Sequence, residues 1–365
     1  MNPITRGLHE MGQRIWLDNI TRQLLQSGTL ARYISDLSVT GLTSNPTIFE
    51  QAIGSGDSYD VAIGLGAAQG LSDEDLFFEL ALQDLTQAAD LFRPIFVSTG
   101  GADGWVSLEV SPLLANDSTG TIKAVRGLHA RAARPNLFIK IPGTPQGIPA
   151  IEQSIFDGVP INVTLLFSRE HYIAAAEAYL RGIERRMAAG LDPEIESVAS
   201  LFVSRWDVAV KDDTSPRLQN RLGLAVAAQT FKAYRELLDS HRWRKLASAG
   251  ARPQRLLWAS TGTKDPAAKD TLYVEALAAA GTINTIPEKT LLAFADHGHI
   301  GPGLPADGGD AESVLHEFRQ GGIDDQALAA RLQLEGVAAF SRSWGGLMAK
   351  IREKRPQPKT AQALT

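Results

Sequence analysis

The sequence predicts an α/β fold, a TIM-type (β/α)8 barrel carrying a C-terminal helical extension. Three observations predict it. Short β-like runs alternate with longer helical patterns, and parallel strands need such crossover connections. There are eight such runs, the number that closes this barrel. Several of them set an apolar face against a face with polar groups, although parallel strands are ordinarily buried on both sides.

In chain order the candidate strands are RIWLD (Arg14–Asp18), VTGLTS (Val39–Ser44), WVSLEV (Trp105–Val110), NLFIKI (Asn136–Ile141), INVTLLF (Ile161–Phe167), VASLFVS (Val198–Ser204), RLLWAS (Arg255–Ser260) and TINTI (Thr282–Ile286). Helical patterns separate most of them, over Thr21–Ser35, Asp73–Phe92, Thr121–Ala133, Ser168–Gly190 and Arg221–Ser240. Past Asp296 the chain turns rich in Gly and Pro. Helical segments follow near Ala311–Gln320 and Asp325–Lys350, and a polar tail, REKRPQPKTAQALT, reads as frayed. The expectation is a single domain, with the barrel over about 13–300 and the extension and tail over about 301–365. A doubly wound sheet is the structural runner-up. It would usually announce a nucleotide-binding turn, and neither G-x-G-x-x-G nor G-x-x-x-x-G-K-[ST] occurs.

Composition narrows the function classes. The 365 residues are 44% hydrophobic and 21% charged, ample for a large core. A net charge of −5 without a clustered basic excess argues against a nucleic-acid partner. The absence of cysteine excludes disulfides, thiol nucleophiles and thiolate metal sites, and fits a cytoplasmic location. The N-terminal stretch MNPITRGLHEMGQRIW has no apolar core of signal-peptide length, and no run of about 18 apolar residues appears, so no membrane span is expected. His297 and His299 in DHGHI have no third ligand in view, so no metal is expected.

The polar strand residues carry the functional argument. Alternation sets Val106, Leu108 and Val110 opposite Trp105, Ser107 and Glu109. It sets Leu137, Ile139 and Ile141 opposite Phe138 and Lys140. It sets Ile161, Val163, Leu165 and Phe167 opposite Asn162, Thr164 and Leu166, and puts Asp18 on the face of Trp16. In a barrel, Asp18, Glu109, Lys140, Asn162 and Thr164 would converge at the strands' C-terminal ends, joined by Asn45 after the second strand. Taken singly, each run also fits a half-exposed antiparallel strand. Lys140 has two readings: a structural ion pair with Glu109 or Asp18, or a desolvated amine that attacks a ketone and forms a Schiff base. Asp18 and Glu109 are candidates for the proton transfers, with N-capping as the alternative for Asp18.

The motifs GLTSNPTIF, VSLEVSP, NLFIKIPGTPQGIPAI, INVTLLFSREHY, SVASLFVSRWD, LLWASTGTKDP and TINTIPEKTL together resemble the transaldolases, in their longer bacterial form. They come in family order and span roughly Ile15 to Gly298. The resemblance implies a class I aldolase-type barrel in the non-oxidative pentose phosphate pathway. It would move a dihydroxyacetone unit from sedoheptulose 7-phosphate or fructose 6-phosphate to glyceraldehyde 3-phosphate or erythrose 4-phosphate. No cofactor is expected, and the chain would be a monomer or homodimer.

By that resemblance Lys140 is the Schiff-base lysine and Asp18 the acid/base aspartate. Glu109 works with Thr164 through an ordered water, and Asn45 and Asn162 hydrogen-bond the dihydroxyacetone hydroxyls. Ser200 and Phe202 match an S-x-F-V signature, with Phe202 shaping the wall. Arg205 and Ser260 match phosphate-binding positions. Short-form relatives place an arginine two residues after that serine; here Gly262 stands there, and Lys264 is the substitute cation. Backbone N–H groups of STGT at a following helix start would assist. The alternative for Arg205 is a salt bridge with Asp207. A fructose-6-phosphate aldolase-like lyase in the same fold is the competing activity. A catalytically silent barrel would be expected to lack Lys140, Asp18, Glu109, Asn45, Asn162 and Thr164, and all six are present.

Overall fold

Eight parallel strands close into a barrel in chain order: β1 (Arg14–Asp18), β2 (Val39–Thr43), β3 (Val106–Glu109), β4 (Leu137–Pro142), β5 (Ile161–Leu166), β6 (Ser197–Phe202), β7 (Gln254–Ala259) and β8 (Ile283–Ile286). The structure is a computed structural model and describes residues 1–356. β8 pairs with both β7 and β1, so the sheet has no free edge and the doubly wound alternative is excluded. All eight expected strands are present, each within two residues of its expected bounds.

Helices fill the crossovers. The helix Asp73–Ser98 starts where Ser72 accepts the Asp75 N–H, and Asp73, Glu74 and Asp75 in its first turn complement the helix dipole. It runs past its expected end at Phe92. The stretch Thr21–Ser35, read as one helix, is two: Arg22–Gln26 and Thr29–Asp36. Gly28 between them has φ +72°, a left-handed value that ends the helical ladder. The extension comprises Ala311–Gln320 and Asp325–Lys354. The longer helix lies against Pro46–Gly54 and packs Trp344 on Phe77 and Phe78, at 5.0 and 5.7 Å. The tail read as frayed begins as helix, with Arg352 paired to Asp73 at 2.9 Å. Its remainder, 357–365, lies outside the described residues.

The strand side chains sort into two apolar clusters. Val106, Leu108, Leu137, Ile139, Ile141, Ile161 and Val163 join the helices in the larger one. Trp16, Trp105, Phe138, Val198, Leu257 and Ile283 belong to the other. Toward the strands' N-terminal ends, Phe138 stacks on Trp105 at 4.1 Å and lies 6.1 Å from Trp16. Each such burial contributes roughly 1.5–3 kcal/mol. Gly41 makes this packing possible: a Cβ there would sit 2.7 Å from the Trp16 ring and from the Trp105 carbonyl oxygen.

The expected alternation fails in one place. Leu166, not Leu165, joins the helix-facing cluster, and Leu165 and Phe167 join the other. The cause is a bulge. On β5, Thr164 and Leu165 together oppose Ser200 alone on β6, and Leu165 takes φ +58°.

Candidate active site

The strand register assembles the polar residues. Glu109 pairs with Lys140, Lys140 with Asn162, and Asp18 with Thr43. All stand in the C-terminal halves of their strands except Asn162, near the start of β5. The Lys140 Nζ donates to the Ser44 carbonyl at 3.0 Å and lies 3.3 Å from Glu109 Oε2. Both side chains are enclosed, at 6% and 3% exposure. The ion-pair reading of Lys140 therefore describes its resting contact. Glu109 Oε1 and Thr164 Oγ1 are buried without a hydrogen-bond partner among the described residues. Such orphans are costly in an apolar core and expected where a substrate or water binds.

A cavity of about 330 Å³ opens over Lys140. Of the expected residues, Asp18, Asn45, Lys140, Thr164, Ser200, Phe202, Arg205, Ser260 and Lys264 line it. Glu109 and Asn162 do not; they are buried behind it. Asn162 donates to Ser107 Oγ at 3.1 Å and accepts from Ser200 Oγ at 2.7 Å. Asn45 accepts the Ile48 N–H at 3.0 Å, so it caps the helix Pro46–Gly54 while its side chain borders the cavity. Asp18 accepts from Thr43 Oγ1 at 2.9 Å, and Thr43 in turn contacts Thr285 Oγ1 at 2.6 Å. Asp18 is not an N-cap: Thr21 caps the next helix.

Arg205 stands in the first turn of the short helix Ser204–Ala209, its guanidinium over the rings of Phe202 and Phe340, at 5.1 and 5.8 Å. It makes no salt bridge with Asp207. That carboxylate accepts from Tyr273 Oη at 2.7 Å and from the Leu222 and Gly223 N–H groups. Ser260, at φ +56°, contacts Ser204 Oγ at 2.9 Å. Lys264 is exposed, and its Nζ would lie 3.9 Å from a Cβ built on Gly262. The expected helix start after STGT is not there. Residues 260–271 form turns and loop, and a helix begins only at Leu272.

Burial raises the Asp18 pKa above its ordinary value, opposed mainly by the Lys140 charge and then by the Thr43 hydrogen bond. Glu109 is raised likewise by burial, again opposed by Lys140. Burial lowers the Arg205 guanidinium pKa, and the Glu109 and Asp18 charges oppose that. The site thus holds an amine and two carboxyl groups whose ionisation burial disfavours, with an arginine and a lysine on the same cavity. Such a site can add an amine to a carbonyl, move protons on either side of it and hold an anion.

Sequence reasoning missed Thr43, Thr285 and Phe340 at the cavity. Thr285 was accessible, since alternation in TINTI puts it on the face of Ile283. Phe340 carries no local signal, because it arrives from the extension. His297, singled out in DHGHI, pairs on the surface with Asp270 at 2.9 Å and Asp296 at 3.1 Å.

Known proteins bear on this geometry. The family described as Transaldolase/Fructose-6-phosphate aldolase matches residues 15–351. The chain is 44% identical to the transaldolase of Thermobifida fusca over 356 residues, covering 95% of this chain and 97% of that one. It is 42% identical to the transaldolase of Parafrankia sp. over 95% of this chain and 96% of that one. Against the transaldolase of Thiobacillus denitrificans it is 42% identical over 95% and 99%. A barrel with a lysine and two carboxyl groups in the C-terminal halves of its strands, matched over nearly its whole length, belongs to the transaldolase/fructose-6-phosphate aldolase family.

Proposed function

We propose that this enzyme transfers a dihydroxyacetone unit from a ketose phosphate to an aldose phosphate through a Schiff base on Lys140. The observation that carries the reading is the Lys140 amine, 3.3 Å from the buried Glu109 carboxyl, on the wall of a cavity that Asp18 also lines. The amine adds to the C2 carbonyl of the ketose. Loss of water, with a proton supplied from Glu109 through a water held at Thr164 Oγ1, leaves a protonated imine. Asp18 takes the proton of the C4 hydroxyl and the C3–C4 bond breaks. The bond's electron pair passes to the imine carbon–nitrogen system, and the aldose phosphate leaves. Attack of the resulting enamine on an acceptor aldehyde reverses these steps, and hydrolysis frees Lys140. The protonated imine is itself the electron sink, so the chemistry calls for no metal or organic cofactor.

Asn45 and Asn162 are the candidates to hold the dihydroxyacetone hydroxyls, Asn162 after releasing its bond to Ser107 or Ser200. The phosphate falls to Arg205, Ser260 and Lys264. The reach of Lys264 back toward Gly262 supports its place as the second cation. Sedoheptulose 7-phosphate or fructose 6-phosphate would serve as donor, in the non-oxidative pentose phosphate pathway of the cytoplasm. The second reading, a lyase that hydrolyses the intermediate and releases free dihydroxyacetone, is kept because the matching family includes fructose-6-phosphate aldolases. The relatives at 42–44% identity, all named transaldolase, favour transfer. The test is acceptor dependence. Fructose 6-phosphate should be consumed only when erythrose 4-phosphate is added; release of dihydroxyacetone without acceptor, at the same rate, would favour the lyase.

A further inference from the structure

The helix Asp325–Lys354 does more than cover the barrel. Gln333, buried at 7% exposure, donates both protons of its side-chain amide, one to the Gly143 carbonyl and one to the Leu165 carbonyl, each at 3.0 Å. These acceptors belong to the ends of β4 and β5, where the ladder is broken. Pro142 has no N–H to give, and the β5 bulge leaves Thr164 and Leu165 opposite a single residue of β6. Leu165 is held at φ +58°, a region that bulky side chains avoid. Its carbonyl is turned out of the regular ladder and toward the helix. The same helix face bears Gly336 one turn later. A Cβ there would lie 3.0 Å from Leu165 Cδ2 and 3.4 Å from an Arg205 Nη1. Gln333 thus holds the Leu165 backbone while Gly336 leaves room for its side chain.

The other residue of this bulge is Thr164. Its carbonyl accepts the Gly143 N–H at 2.7 Å, and its Oγ1 is buried, unpartnered and on the cavity wall. A strained neighbour tends to relax, and relaxation at Leu165 would rotate the peptide that carries Thr164. We propose that Gln333 is a positioning residue: its amide ties Gly143 to Leu165, fixes the β5 bulge, and so aims the Thr164 hydroxyl at the reacting centre. This deepens the transferase reading and rests on it, since it assigns the C-terminal extension a part in proton transfer at Lys140.

The test is turnover of fructose 6-phosphate with erythrose 4-phosphate by the full chain, for Gln333→Met in wild-type and Thr164→Ala backgrounds. Methionine keeps the volume and removes both donors. The expected result is a fall in kcat of about 10- to 100-fold with KM changed by less than about threefold, the scale of a small misplacement of a reacting group. In the Thr164→Ala background the same substitution should change kcat by less than about twofold, because the group it aims is gone. A general loss of folding stability would act equally in both backgrounds. Gly336→Ala, which crowds Leu165 while leaving the amide in place, is read by the same two criteria, so poor folding of one variant does not decide the matter. Wild-type kcat in Gln333→Met and Gly336→Ala, or equal losses in the two backgrounds, overturns this inference alone. A wild-type chain that neither turns over nor forms an adduct overturns the functional reading along with it.

Discussion

The two ends of the barrel interior are built to opposite rules. Toward the strands' N-terminal ends Trp16, Trp105 and Phe138 fill the space, and Gly41 is small because a Cβ would strike them. Trp16 even satisfies its indole N–H, on Asp103 at 3.0 Å. At the other end Lys140 and Glu109 are buried 3.3 Å apart, and Glu109 Oε1 and Thr164 Oγ1 have no hydrogen-bond partner among the described residues. One end fills the barrel interior with aromatic rings; the other keeps a cavity of about 330 Å³ lined by Asp18, Lys140 and Thr164. The difference teaches where stability and chemistry reside. The aromatic end should govern folding with little effect on turnover, and the polar end should do the reverse.

Substitutions can break that division, and the largest effect is expected at Lys140. Lys140→Met should lower kcat/KM by about 10⁴-fold or more, since among the described residues no other lysine is buried with the carboxyl groups. Its melting temperature should stay near wild type, because Glu109, already resisting ionisation, can take up a proton. Asp18→Asn comes next, with kcat reduced by about 10²–10⁴-fold in steady-state assays. Phe138→Ala should act at the other end. It should cost about 3–5 kcal/mol in denaturant unfolding, while kcat per folded molecule stays within about twofold. A Phe138→Ala chain of unchanged stability, or an Asp18→Asn chain of unchanged turnover, would break the division outright.

Much of this arrangement is legible in the sequence, for physical reasons. Buried parallel strands need no polar side chains, so Glu109, Lys140 and Asn162 in apolar runs announce an inward polar layer. The closure of the barrel follows from eight strands in βα order. Other features are not legible. Leu165 at φ +58° lacks the Gly or Asn signal that usually marks a left-handed residue, so the bulge and the exchange of Leu165 and Leu166 between faces could not be read. Gln333 and Phe340 reach the site from the extension, and nothing in their own segment says which carbonyl or guanidinium they will meet. The alternative pairing of Arg205 with Asp207 failed because Asp207 caps the helix Leu222–Asp239 instead.

Smaller effects sharpen the comparison. Arg205→Ala should raise KM for phosphorylated donors by about 10-fold or more, the loss of a charge-assisted phosphate contact, and leave unphosphorylated donors nearly unaffected. Equal effects on both would remove Arg205 from phosphate binding. The last expected effect is one of pH on stability alone. Glu196, beside the start of β6, has its pKa raised by burial from 4.5 to about 7, with the Arg255 and Arg252 charges opposing. The folded state therefore holds this proton more tightly than the unfolded one. The resulting stability is fully present below the unfolded value and is lost as pH rises through about 7. Melting temperature should decline across that window, and Glu196→Gln should flatten the decline without altering turnover.

The most direct test of the central claim is borohydride reduction in the presence of fructose 6-phosphate, followed by peptide mass mapping. The account predicts a reduced dihydroxyacetone adduct on Lys140 that is absent from Lys140→Met. An adduct on another lysine, or donor turnover retained in Lys140→Met, would contradict it.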